Sequence, residues 1–194
     1  MDRSVENIMN LSFQNIEEQG IDIKKLYKEE LYLHSVSVAE IATKLGIALN
    51  LNFQELIDIC MGGLLHDFGK VFIEDEILYK PAKLSNMEYY LIQGHPSRGY
   101  KELKKYNFNE NVMHIVLNHH EKLSGEGYPI GKHELGFTTQ IITVADIYDA
   151  VHSKRSYHAK RTIDDSLDIV KNEYGLSPIV VSALEELIKQ ELVA

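Results

Sequence analysis

The feature that most constrains this chain is a pair of polar residues, His66 and Asp67, that directly follows an apolar run over 57–65. A run that apolar packs inside a fold, and two polar side chains carried in with it are costly unless each finds a partner. Apolar positions here recur at helical rather than alternating spacing, so the pair is expected near the end of a buried helix, with Gly69 marking that end. The same spacing predicts helices over 2–18, 23–45 (stopping at Gly46) and 53–70. Further helices are expected after the capping box Ser85 to Glu88, from Pro96 onward, and from Asn109 or Glu110. The last three are expected over 137–151, 163–174 and 178–192. The segment 123–136, with its glycines and Pro129, reads as a loop. With no strand alternation or internal repeat, the expected fold class is all-α.

The 194 residues suffice for one core, read as a short N-terminal helical extension (1–22) and a larger unit (23–194). The extension is expected to act as a cap or a homodimer contact. A formal charge of −9 repels nucleic-acid polymers and anionic membranes, so an anionic ligand requires a local positive site. The one cysteine, Cys60, sits in the apolar run and reads as a reduced core thiol, which favours the cytoplasm. No segment reaches the roughly 18 to 20 uninterrupted apolar residues of a spanning helix. The first 19 residues lack the basic-then-apolar build of a signal peptide.

Other polar residues share the predicament of His66 and Asp67. Asp146 is embedded among Ile141, Ile142, Val144, Ala145 and Ile147 and needs a strong partner. His119 and His120 diverge by about 100° on a regular helix, so both face one point only near its end. Glu121 to Gly125 supports such an end. Glu30 and His34 lie one turn apart on one helix face. Imidazole and carboxylate donors in combination are what Zn, Mn or Fe sites use. Asp149, three residues after Asp146, reads as a support for a ligand rather than a ligand itself.

Taken in order, His66-Asp67-Phe68-Gly69-Lys70, His95-Pro96, His119-His120-Glu121 and Gly125 with Gly127-Tyr128-Pro129 resemble the HD-GYP phosphodiesterases of the HD superfamily. His34 and the segment around Asp146 complete the pattern, which covers about 28–160. The resemblance implies an HD-superfamily helical bundle holding two or three divalent metal ions, most often Fe or Mn, with Zn, Ni or Mg as further options. It implies Asp67 as a bridging ligand, His34, His66 and Asp146 on one side, His95, His119 and His120 on the other, and Glu30 at a third ion. The implied reaction is hydrolysis of cyclic di-GMP, or a related cyclic dinucleotide, to linear pGpG or GMP by a metal-bridging hydroxide. Lys70 is expected to bind the scissile phosphate, Tyr128 to stack on a base, and Arg155 and His158 to contact substrate.

Ser124, Ser156 and His158 depart from the family pattern, which bears on substrate grip more than on metal binding. No receiver domain is recognised, so regulation is expected from the N-terminal helix, a protein partner or substrate supply. Two other readings stay open: a cyclic-dinucleotide binding or adaptor module with little turnover, and another HD-type nucleotide phosphohydrolase. Redox chemistry at a di-iron site is a further one.

Overall fold

A computed structural model describes residues 3–153 and 161–193, and among these there are helices and no strands. The chain runs α1 (Arg3–Glu18), α2 (Ile23–Leu26), α3 (Glu29–Ala48) and α4 (Phe53–Leu65), then a 3-10 helix (Phe68–Phe72). It continues through α5 (Asp75–Leu78), α6 (Asn86–Gln93), α7 (His95–Leu103), α8 (Glu110–Asn118), α9 (Phe137–His152), α10 (Ile163–Asn172) and α11 (Pro178–Val193). The all-α class is as the spacing predicts. None of these helices is long and apolar enough to cross a membrane.

α4 is the central element, packed by α1, α3, α8 and α9. Its residues from Leu56 to Leu65 are all buried, so it has no solvent face to give polar side chains. Asn52 starts it with a capping box, its side chain accepting from Glu55 N while Glu55 accepts from Asn52 N. The predicted box at Ser85 and Glu88 forms in the same way. α1 buries Val5, Ile8, Met9 and Ile16 and lies against α4. Cys60 is fully buried beside Met9, and burial pushes its thiol up to about 11, as suits a packing residue.

Three boundaries differ from the sequence expectation. The helix expected over 23–45 is broken at Tyr27 and Lys28, because the buried Tyr27 hydroxyl donates to the Leu64 carbonyl and turns the chain there. Gly46 does not end α3. A Cβ at that position would lie 2.5 Å from Ile59 and 2.8 Å from Leu56, so the glycine lets α3 and α4 close together. The helix expected over 53–70 ends as an α-helix at Leu65 and tightens into the 3-10 helix, which swings Asp67 and Lys70 off the α4 line.

Candidate metal centre

The ends of α4 and α8, the start of α7, and the middles of α3 and α9 meet at one point. Seven of the residues singled out in the sequence converge there. Asp67, His95, His119 and His120 form one group of donor atoms within 4.8 Å of one another, and His34, His66 and Asp146 form a second. Asp67 faces both groups. Its Oδ1 is 3.0 Å from His95 Nε2 and 3.8 Å from His119 Nε2, while Oδ2 is 3.3 Å from His66 Nε2 and 3.7 Å from His34 Nε2. Asp146 also spans the centre, with Oδ1 3.1 Å from His34 Nε2 and Oδ2 3.7 Å from His120 Nδ1.

Local geometry places these groups. A Cβ on Gly69 would sit 1.9 Å from the His95 carbonyl oxygen, so only glycine lets the 3-10 helix touch the start of α7. That contact sets His95 against Asp67. Thr143 on α9 donates to the His119 carbonyl at 2.9 Å and fixes the end of α8.

The hydrogen bonds also decide where the ring protons sit. Nδ1 of His66, His95 and His119 lies 2.7, 2.7 and 3.0 Å from the carbonyls of Gly63, Ile92 and Val116, each three residues earlier. A carbonyl only accepts, so each Nδ1 carries a proton, and the neutral rings of His95 and His119 aim a bare Nε2 lone pair at the centre. His34 is held likewise, its Nδ1 donating to Asp149 Oδ2 at 2.6 Å. Asp149 is itself fixed by donors from Ser37 and Ser153. Burial depresses His95, drives His119 well below the usual histidine range, and brings His120 to about 3, so all three are neutral near pH 7.

Two consequences bear on a metal. His95 Nε2 and His119 Nε2 are 3.1 Å apart with no proton to share, so their lone pairs repel. His66 Nε2 and Asp67 Oδ1 are buried without a hydrogen-bond partner. A divalent cation relieves both, and the mixed nitrogen and oxygen donor set fits one. Burial opposes ionisation of Asp67 and Asp146. Even so, His66 and Lys70 hold Asp67 well below the usual carboxylate range, and His34 and His66 do so for Asp146.

The remaining predicted residues sit around this core. Lys70 Nζ donates to Asp67 Oδ2 at 2.5 Å. Glu30 lines the adjoining cavity but belongs to neither donor group. Tyr128 packs its ring on His120, centroids 4.6 Å apart. Arg155 and His158 lie outside the described residues. The sequence reading gave no functional role to Glu121, which is fully buried and accepts from Ile130 N and Lys132 N at 2.8 Å each. It stitches the loop of Tyr128 to the end of α8. Gly127 completes the seam, since a Cβ there would lie 2.4 Å from Glu121 Cα. The signal was a carboxylate directly after two site histidines; the adjacent cation, Lys122, pairs with Glu173 instead.

Two cavities flank the centre. One of about 610 Å³ adjoins His34, Asp67 and Lys70 and is walled by Tyr79, Lys83 and Tyr89. The other, of about 680 Å³, adjoins His95 and Tyr128 and is walled by Phe72, Tyr90 and Arg98. Ile77 borders both.

A helical bundle that brings a histidine-aspartate pair against histidines from three other helices defines a class, and the chain belongs to the HD domain family, which matches residues 18–176. Within that family it resembles the cyclic-dinucleotide phosphodiesterases. It is 32% identical over 171 residues to a 3'3'-cGAMP-specific phosphodiesterase of Vibrio cholerae, covering 87% of this chain and 38% of the relative. It is 35% identical over 136 residues to a cyclic di-GMP phosphodiesterase of Pseudomonas aeruginosa, covering 69% and 33%. The chain thus spans between a third and two-fifths of the length of these curated relatives. An HDG"Y"P protein of Bdellovibrio bacteriovorus shares the fold with a TM-score of 0.70 at 18% identity, covering 95% of this chain and 64% of that one. The L. monocytogenes phosphodiesterase PgpH HD domain shares it with a TM-score of 0.61 at 15% identity, covering 94% and 97%.

Proposed function

We propose that this chain hydrolyses a phosphodiester bond of a cyclic dinucleotide, with cyclic di-GMP first among the candidates. The observation that carries the reading is the paired donor groups with Asp67 between them, opening on a cavity at either side. One ion is assigned to His34, His66, Asp67 and Asp146, the other to Asp67, His95, His119 and His120. A third is assigned beside Glu30. Iron or manganese suits donors that mix imidazole and carboxylate. When bound, the ions supply Lewis acidity that neutralises the phosphate and activates the attacking water.

The chain's own residues do the rest. Asp67 and Asp146 stay ionised and set the charge of the centre, and the bare Nε2 atoms hold its shape. Lys70 is assigned to the scissile phosphate, where an ammonium offsets charge that develops on the oxygens. Tyr128, braced on His120, offers its free edge to the substrate. The products are linear pGpG or, with a second cut, GMP. We assign this activity to the unit 23–194, working in the cytoplasm, with 1–22 as a helical extension and a homodimer or protein partner as the route to regulation.

The test is direct. Metal-loaded protein is incubated with cyclic di-GMP, 3'3'-cGAMP and cyclic di-AMP, the products are resolved by chromatography, and Asp67→Ala is run alongside. Cleavage by the wild type and a loss of about 10³-fold in the variant are expected. Full metal occupancy with no cleavage of any substrate would overturn the reading.

A further inference from the structure

The cavity beside His95 carries chemistry that the hydrolytic centre does not use. Arg98 is exposed on α7, three residues after His95 and so on the same helix face, with about 5–6 Å expected between their Cβ atoms. Its guanidinium lies over the Phe72 ring, 4.7 Å from the centroid. Glu102, one turn further on, is paired with Lys105 instead, and no carboxylate among the described residues forms an ion pair with Arg98. The stack therefore holds the guanidinium at the cavity wall with its N–H groups unclaimed. Tyr90 and Tyr128 add aromatic surface to the same cavity, and Glu74 adds a carboxylate.

We propose that this cavity is a guanine pocket in which Arg98 recognises the O6 and N7 atoms of the base. The planar guanidinium fork matches those two acceptors, whereas adenine places an amino donor where guanine has O6. The Phe72 ring fixes the plane of the fork, leaving less freedom to lose on binding. The aromatic walls stack on a base face, as single bases are commonly held. Glu74 supplies the acceptor that the N1–H and amino group of guanine require. The cavity reaches His95, so a base seated there belongs to a nucleotide whose phosphate reaches the metal centre. This placement rests on the phosphodiesterase reading, but the base preference does not.

The experiment compares the wild type with Arg98→Leu and Arg98→Lys, all metal-loaded, with thermal unfolding recorded to show that each variant is folded. The ratio of kcat/KM for cyclic di-GMP over cyclic di-AMP is measured, and in parallel the affinities for GMP and AMP are measured by calorimetry. Both variants are expected to lower the guanine-to-adenine ratio by roughly 5- to 150-fold, the range of one bidentate contact. An unchanged ratio in Arg98→Leu would overturn the proposal. So would an equal loss of kcat/KM on both substrates in Arg98→Leu, because a charge on phosphate serves cyclic di-GMP and cyclic di-AMP alike whereas a fork on a base does not. If no cyclic dinucleotide is cleaved, the catalytic reading falls and the GMP-to-AMP ratio still decides the pocket. A wild type that binds GMP and AMP equally rejects it.

Discussion

The interior and the rim of the centre are built on opposite plans. His34, His66, Asp67, His95, His119 and Asp146 are at most 8% exposed, and their donor atoms are oriented by hydrogen bonds or by one another. At the rim, Tyr90 is 71% exposed, Tyr89 is 52% exposed and Arg98 is held by a ring contact rather than an ion pair. The interior is inseparable from the fold, since each donor sits at the meeting of packed helices. The rim is carried by short elements and loops that can change without unpacking α4. On the proposed function, reaction chemistry belongs to the interior and choice of substrate to the rim.

If this division holds, the largest effect comes from the backbone seam inside. Gly69→Ala forces a methyl group into the His95 carbonyl and is expected to destabilise the fold by about 3 kcal/mol, read by urea unfolding. A stable, active Gly69→Ala protein would break the comparison. Next is Asp149→Asn, which weakens the bond that orients His34. A loss of metal affinity of about 10- to 100-fold is expected by titration, with secondary structure unchanged by circular dichroism.

Acid should act on the interior too. His95, His119 and His120 resist protonation when folded, whereas the unfolded rings protonate near 6.5. As pH falls below that value the unfolded chain takes up protons that the folded one refuses. Stability of the metal-free protein should fall by ~1.4 kcal/mol per pH unit for each such proton. The lowered carboxyls of Asp67, Asp146 and Asp149 act the same way on the acid side of 3.8, where their contribution is lost as pH falls through the folded values. Urea midpoints at pH 7 and pH 5.5 check this, and equal midpoints would count against neutral rings. The smallest effect is expected at the rim: Tyr128→Leu should raise KM about tenfold while metal content by elemental analysis stays at the wild-type level.

The seven central donors were legible because each is a polar residue set in apolar or helix-ending sequence, and such residues need partners. Their grouping was legible only through the resemblance, since spacing along the chain does not say which helix ends meet. Elsewhere tertiary contacts overruled local signals. Tyr27 continues the apolar stripe from Ile23 to Leu31, so nothing nearby announces the break made by its bond to Leu64. Gly46 has the look of a stop and is instead a point of helix contact. Arg98 draws no notice in the sequence, because the Phe72 ring beneath it is brought there only by the fold.

The bonds from His66, His95 and His119 to carbonyls three residues earlier have a consequence for how the centre is loaded. Each ring takes its aim from its own stretch of backbone, independently of the side chains at Ile92 and Val116. Each ring therefore comes to the assembled bundle already pointing inward, and an arriving ion meets a rigid receptor rather than one it must organise. The binding nitrogens of His95 and His119 have no proton to shed, so uptake at these two rings should draw little heat from the ionisation of the surrounding buffer.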